Sequence, residues 1–292
     1  MNDPHHETEK QSMSSENKPP SSRADVGRGA MDPTGIDAYR PSEIAQRIAV
    51  AGIAKTKLPL LPLATLGCLA GVFIGFGALF YLAVLAGADA GHGPTRLLAG
   101  LAFSLGLILV VVGGAELFTG NALIVMAWVD GLVSGPALLR NWGLVYLANL
   151  LGALALCALV IMAGLHAGPV GAVAARITVA KFQLPALELL TLGVLCNALV
   201  CLAVWLSFAA HDVAGKILAI ILPISAFVAL GLEHSVANMF LLPFGLAAGA
   251  PGGAVDVVRN LGWVTLGNFI GGAGGVALSY WAAYRADASP PA

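Results

Sequence analysis

Gly114-Ala-Glu116-Leu-Phe-Thr-Gly-Asn121 and Gly231-Leu-Glu233-His-Ser-Val-Ala-Asn238 share one pattern, G-x-E-x-x-x-x-N, inside apolar surroundings. Each places a carboxylate and an amide where a membrane helix should run uninterrupted. A polar side chain at bilayer depth is expensive, so it lines a pathway or a buried site. The same polar interruption occurring twice implies a duplicated fold with its site between the halves.

Composition supports a membrane reading. The chain of 292 residues is 58% hydrophobic and only 11% charged, against about 25% charged in a soluble domain. Its mean hydropathy is +0.84. A net charge of −1 gives no electrostatic case for nucleic acid. Glycine is frequent, at 36 residues, and small residues let membrane helices approach closely. Cys68, Cys157, Cys196 and Cys201 lie in apolar runs without a C-x-x-C pair. They read as small buried hydrophobes, not as disulfides or metal ligands.

Organisation follows from the apolar runs. Residues 1–35 are polar and Pro/Ser-rich and are expected to be a disordered tail. Residues 36–57 read as an amphipathic cytoplasmic segment: Pro41 can open a helix, and Ile44, Ile48 and Ala51 then share a face, with Glu43, Arg47 and Lys55 off it. Such a helix lies on the membrane surface or forms a solvated lead-in to the first span. Residues 58–285 form the transmembrane domain, and 286–292 a short tail. Measured against the roughly 20 residues a span needs, six apolar segments emerge: 58–86, 97–128, 144–165, 187–210, 217–248 and 261–284. The second and fifth are too long for one span and are the two that carry the polar interruption. Tyr280, Trp281 and Tyr284 suit an interfacial aromatic belt, and the Lys/Arg bias of the N-terminal region puts both termini in the cytoplasm.

The repeat extends beyond the two motifs. Thr65-Leu-Gly-Cys-Leu69 matches Thr191-Leu-Gly-Val-Leu195. Asn141-x-Gly143-x-Val145-x-Leu147-x-Asn149-x-x-Gly152 matches Asn260-x-Gly262-x-Val264-x-Leu266-x-Asn268-x-x-Gly271. Three spans per repeat is odd, so the halves must be inverted, and their broken helices meet from opposite sides. Irregular backbone at that depth is tolerated only where it is buried or faces water. The expected fold is therefore an all-α membrane protein of six spans, two inverted three-span repeats with the second and fifth spans broken.

At these residues the sequence resembles the formate/nitrite transporter family, whose members carry formate, nitrite or hydrosulfide. The resembling stretches are Ala115-Glu-Leu-Phe-Thr-Gly-Asn121, Asn197-Ala-Leu-Val-Cys-Leu-Ala-Val-Trp205, Gly231-Leu-Glu-His-Ser-Val-Ala-Asn-Met-Phe240 and Val264-Thr-Leu-Gly-Asn268. The resemblance implies an aquaporin-like homopentamer with one pore per protomer, in the inner (plasma) membrane. It makes Thr119 the pore threonine, His234 the central histidine, Lys181 the vestibule lysine, and Asn197 and Asn268 lumen asparagines. It sets Phe103, Leu107 and Phe227 as constriction on one side of the histidine and Leu117 with its neighbours on the other. Glu116 stands where formate channels of the family carry Asp, and Glu there also occurs in its nitrite and hydrosulfide members.

Physical chemistry assigns roles to those positions. Moving a bare carboxylate through a dry ring of Phe and Leu costs on the order of tens of kcal/mol in the Born limit. Protonation removes most of that cost. Imidazole titrates near about pH 6.5 when unperturbed, so His234 is the expected donor, with Lys181 attracting the anion and Thr119 orienting it. Asn197 and Asn268 would offer amides along the wall. Glu116, Asn121, Glu233 and Asn238 are expected to support the broken loops, because a lumen carboxylate would repel an anion. Each also has a plainer reading: Lys181 as a snorkelling lysine, Thr119 back-bonding to a carbonyl, the asparagines as interhelical glue. Formate is the first expected substrate, then nitrite, then hydrosulfide, with protons as the coupled partner and no cofactor or metal. A membrane-embedded enzyme is the alternative class, but the chain has no His/Cys cluster and no H-E-x-x-H motif.

Overall fold

The computed structural model describes residues 37–89 and 91–285. The expected tails at 1–35 and 286–292 lie outside the described residues. Among the described residues every regular element is helical. Helix α1 spans Pro41–Thr56, α2 Leu60–Leu85 and α3 Gly93–Gly113. After a non-helical stretch come a 3-10 turn, Gly120–Ile124, and the short α4, Val125–Val129. Then follow α5 (Gly135–Met162), α6 (Pro169–Gln183), α7 (Ala186–Ala209), α8 (Val213–Ala229) and α9 (Ser235–Ala247). The last run is α10 (Ala254–Phe269), a π-helical segment (Ile270–Ala277) and α11 (Leu278–Tyr284).

Among the described residues, five helical stretches are long and apolar enough to cross a membrane: α2, α3, α5, α7 and Ala254–Tyr284. Gly120–Val129, α8 and α9 are shorter. The helix starts follow local chemistry. Prolines stand in the first turn of α1, α3, α5 and α6, where the missing N–H costs nothing. Asp212 accepts from Gly215 N at 2.5 Å to cap α8.

Close packing runs through glycine. Helix α5 crosses α2 with Gly152 against the Cys68 backbone, and in the second half Gly271 lies against the Val194 backbone in the same way. A Cβ at either position would collide with a carbonyl, so these crossings are held by backbone contact.

Helix α1 packs its apolar face on protein. Ile44, Ala45, Ile48 and Ala49 are buried with Ile124, Met126 and Ala127. The helix therefore lies over the end of the first interruption instead of presenting that face to a bilayer. Its start is fastened by Tyr39, whose N–H donates to Ala209 O at 3.0 Å. The Tyr39 ring lies between His211, stacked at 4.0 Å, and the Arg47 guanidinium, 4.0 Å from its centroid. The C-terminal aromatics are also partly engaged with protein: Tyr280 stacks on Trp205 at 3.8 Å, and Trp281 Nε1 donates to Asp130 Oδ1 at 2.7 Å.

Candidate functional site

Each interruption begins at a glycine in the left-handed region, Gly114 at φ 82° and Gly231 at φ 73°. That conformation ends the preceding helix, and an L side chain would strain it. The chain then turns so that Ala115 N returns to Val110 O, and Leu232 N to Phe227 O.

The next peptides are captured by neighbouring helices. Glu116 N donates to Leu66 O at 3.2 Å, and Glu233 N to Leu192 O at 3.4 Å. Asn149 donates to Gly67 O and Glu116 O and accepts from Phe118 N. Asn268 does the same with Gly193 O, Glu233 O and Ser235 N, at 2.8, 2.9 and 2.8 Å. The non-helical backbone is therefore satisfied by one buried asparagine per half, as a dry site requires. Asn268, expected to offer its amide along the wall, instead commits both amide hydrogens to backbone carbonyls.

The carboxylates are paired and turned into polar chains. Lys55 Nζ lies 2.7 Å from Glu116 Oε1, and Lys181 Nζ 2.6 Å from Glu233 Oε1. The other carboxylate oxygen accepts from Asn121 Nδ2 in the first half and from Asn238 Nδ2 in the second, both at 2.7 Å. Those amides also reach Asn141 Oδ1 and Asn260 Oδ1, at 3.0 and 2.8 Å. The four loop residues Glu116, Asn121, Glu233 and Asn238 are all buried. A buried carboxylate demands such pairing.

Where the interruptions meet, Thr119 Oγ1 lies 3.0 Å from His234 Nε2, both residues buried. His234 also caps α9, its Nδ1 accepting from Ala237 N at 3.1 Å. Nδ1 is thus an acceptor, so a neutral ring carries its proton on Nε2 and donates it to Thr119 Oγ1. The Thr119 hydroxyl hydrogen is left for another acceptor. Asn197 Nδ2 donates to Asn268 O at 2.6 Å and Thr119 O at 3.3 Å. Both partners are carbonyls, which fixes the amide orientation and leaves buried Asn197 Oδ1 without a protein partner. Asn268 O lies just ahead of the π-helical segment, so Asn197 enters the helical ladder where the turn widens.

One cavity reaches the first interruption and another reaches the second at His234, and the two share no lining residue. The near cavity, on the α1 side, measures about 350 Å³ and is lined by Lys55, Leu107, Glu116, Leu117 and Asn121 among others. The far cavity measures about 240 Å³ and is lined by Phe103, Lys181, Phe227, Glu233 and His234 among others. Phe103 and Phe227 meet edge to face at 5.3 Å, and Phe227 stacks on the His234 ring at 5.9 Å. Leu107 was expected beside Phe103 and Phe227; it lines the Leu117 cavity instead, because α3 carries it one turn nearer α1.

Sequence reasoning did not single out Lys55, Asn141, Asn149 and Asn260 as site residues. A signal was present. The offset of 126 that aligns Thr65 with Thr191 also aligns Lys55 with Lys181, and the offset of 119 aligns Asn149 with Asn268.

Residues 42–282 match the model of a family described as formate/nitrite transporter. The chain is 43% identical over 250 residues to the uncharacterized transporter YrhG of Bacillus subtilis, covering 84% of this chain and 94% of that one. It is 37% identical over 273 residues to the formate channel FocA of Escherichia coli K12, covering 85% and 95%. A solved pentameric formate channel with formate bound superposes with a TM-score of 0.72 at 38% identity, covering 77% of this chain and 97% of that chain.

Proposed function

The chain belongs to the formate/nitrite transporter family, and on that premise we propose that it is a channel for small monovalent anions, formate first, with proton-linked passage at His234. We read the fold as six spans in two inverted halves. The second span is α3 with Gly120–Val129, and the fifth is α8 with α9. By analogy with the pentameric relative, five copies assemble in the plasma membrane, each with its own pore and both termini in the cytoplasm.

The observation that carries this reading is the buried Thr119–His234 contact at 3.0 Å, made between two interruptions whose carboxylates are paired with lysines. Lys181 draws the anion into the far cavity, and the Phe103/Phe227 pair excludes its water. A bare anion does not cross such a ring cheaply. His234 is positioned to hand it a proton from Nε2. As Nε2 gives up its proton, Nδ1 must take one up from solvent for the ring to stay neutral, which requires the hydrogen bond from Ala237 N to Nδ1 to open. The Thr119 hydroxyl and Asn197 Oδ1 offer one donor and one acceptor, the complement of a protonated carboxylic acid. Glu116 and Glu233, held by lysines, serve the loops.

The test is flux into proteoliposomes with formate, nitrite and hydrosulfide offered in parallel, wild type beside His234→Ala. Formate is expected to pass fastest and to be lost or uncoupled in the variant. Equal passage of all three, unaltered by the substitution, would make this an unselective pore in which His234 only caps α9.

A further inference from the structure

Among the described residues, four cations occupy the face opposite α1: Arg96, Arg176, Lys181 and Arg259. Two are engaged. Lys181 holds Glu233, and Arg259 donates to Phe182 O and Leu184 O at 3.2 and 2.8 Å. Among the described residues Arg96 and Arg176 have neither a carboxylate within 4 Å nor a hydrogen-bond partner for their guanidinium groups. Both line one cavity of about 360 Å³, walled by Tyr81, Leu85, Val173 and Val228. That cavity shares Tyr81, Ile177, Ala180, Val228 and Gly231 with the one reaching Lys181 and His234, so the two adjoin. Arg96 Nη2 would lie 3.7 Å from a Cβ on Gly231, which places the guanidinium over the glycine that opens the second interruption.

The other carboxylates of this face are used or remote. Asp89 accepts from Gly91 N, Asp256 accepts from Gly253 N, and Glu188 is exposed in the first turn of α7. None lines the arginine cavity. At the near mouth, by contrast, Arg47 is held over the Tyr39 ring. A guanidinium presents a planar fork that matches a carboxylate, and apolar walls focus its field.

We infer that Arg96 and Arg176 form a carboxylate-binding subsite at the far mouth. It gathers monocarboxylates ahead of Lys181 and holds dicarboxylates too large to pass Phe103 and Phe227. The gathering role rests on the proposed transport; the binding of a dicarboxylate does not.

The test uses the full-length protein in nanodiscs, titrated calorimetrically with malonate, beside formate flux in proteoliposomes. Arg96→Gln and Arg176→Gln are each expected to weaken malonate binding about tenfold, the size of one charge-assisted contact, and the double variant to abolish it. High salt weakens the wild type likewise. Arg176→Lys, which keeps the charge without the fork, is expected to bind between the two, and gel filtration checks the fold of every variant. In flux, the half-saturating formate concentration rises in the double variant while maximal flux holds. Malonate binding equally to wild type and the double variant, or not at all to wild type, overturns the subsite. Arginine-dependent malonate binding without formate flux in wild type would support the subsite and sink the transport reading instead.

Discussion

The two interruptions are nearly the same scaffold, yet they differ at the residues that touch. Gly114, Glu116, Asn121, Asn141 and Asn149 have their counterparts in Gly231, Glu233, Asn238, Asn260 and Asn268, with matching hydrogen bonds. Within the motif, however, Leu117 corresponds to His234 and Thr119 to Val236. The polar pair that meets between the halves is thus assembled from two unlike positions, one from each repeat. The two halves share their hydrogen-bonded scaffold, and they depart from the repeat where Thr119 and His234 meet.

Making the second interruption resemble the first is the most damaging way to erase that difference. His234→Leu is expected to lower formate flux by about 100-fold or more, the scale of a lost proton donor. Leu117→His is expected to add nothing. His234→Asn separates chemistry from scaffold, because asparagine can still cap α9. A His234→Leu protein with wild-type flux would show that the asymmetry is incidental.

The ion pairs come next. The Lys181–Glu233 pair is the more enclosed, with side chains 14% and 3% exposed, against 30% and 6% for Lys55–Glu116. Removing one partner of a buried pair strands a charge and costs about 3–5 kcal/mol. Thermal unfolding in detergent should therefore fall further for Lys181→Met than for Lys55→Met, whose partner is better screened by solvent. The reverse order would contradict the burial argument.

A finer contrast lies in the polar chains. In the first half α1 closes the chain: Asn121 Oδ1 accepts from Lys55 Nζ, and Asn141 Nδ2 donates to Lys55 O. The equivalent groups, Asn238 Oδ1 and Asn260 Nδ2, have no protein partner among the described residues. Asn141→Leu is thus expected to be more destabilising than Asn260→Leu, by roughly 1–2 kcal/mol. Equal losses would mean that α1 contributes nothing to the first site. The smallest effect, and the one in which the halves should agree, is Gly114→Ala and Gly231→Ala. Each should cost about 1–2 kcal/mol from left-handed strain, since a Cβ at neither site meets anything closer than ordinary contact.

Much of this was legible in the sequence because glycine, glutamate and asparagine have few reasons to stand inside apolar segments. The motif marks the stretches that are non-helical after α3 and after α8, and the repeat puts Asn149 and Asn268 in register. Other features depended on packing that no local pattern encodes. Helix α1 read as a surface segment since its amphipathic face does not say what covers it, and only the fold brings Lys55 to Glu116. The π-helical segment was also hidden. It accompanies Asn197 at a position where the first repeat has Gly71, which packs directly against the α5 backbone. Arg96 and Arg176, 80 residues apart in sequence, share a mouth only after α3 and α6 are placed.

The most direct test of the central claim is the number of protons entering proteoliposomes per formate, measured for wild type and His234→Asn under the same gradients. The account predicts a fixed ratio in wild type and its loss in the variant, with assembly intact. An unchanged ratio in His234→Asn would contradict it and leave the Thr119–His234 contact a structural one.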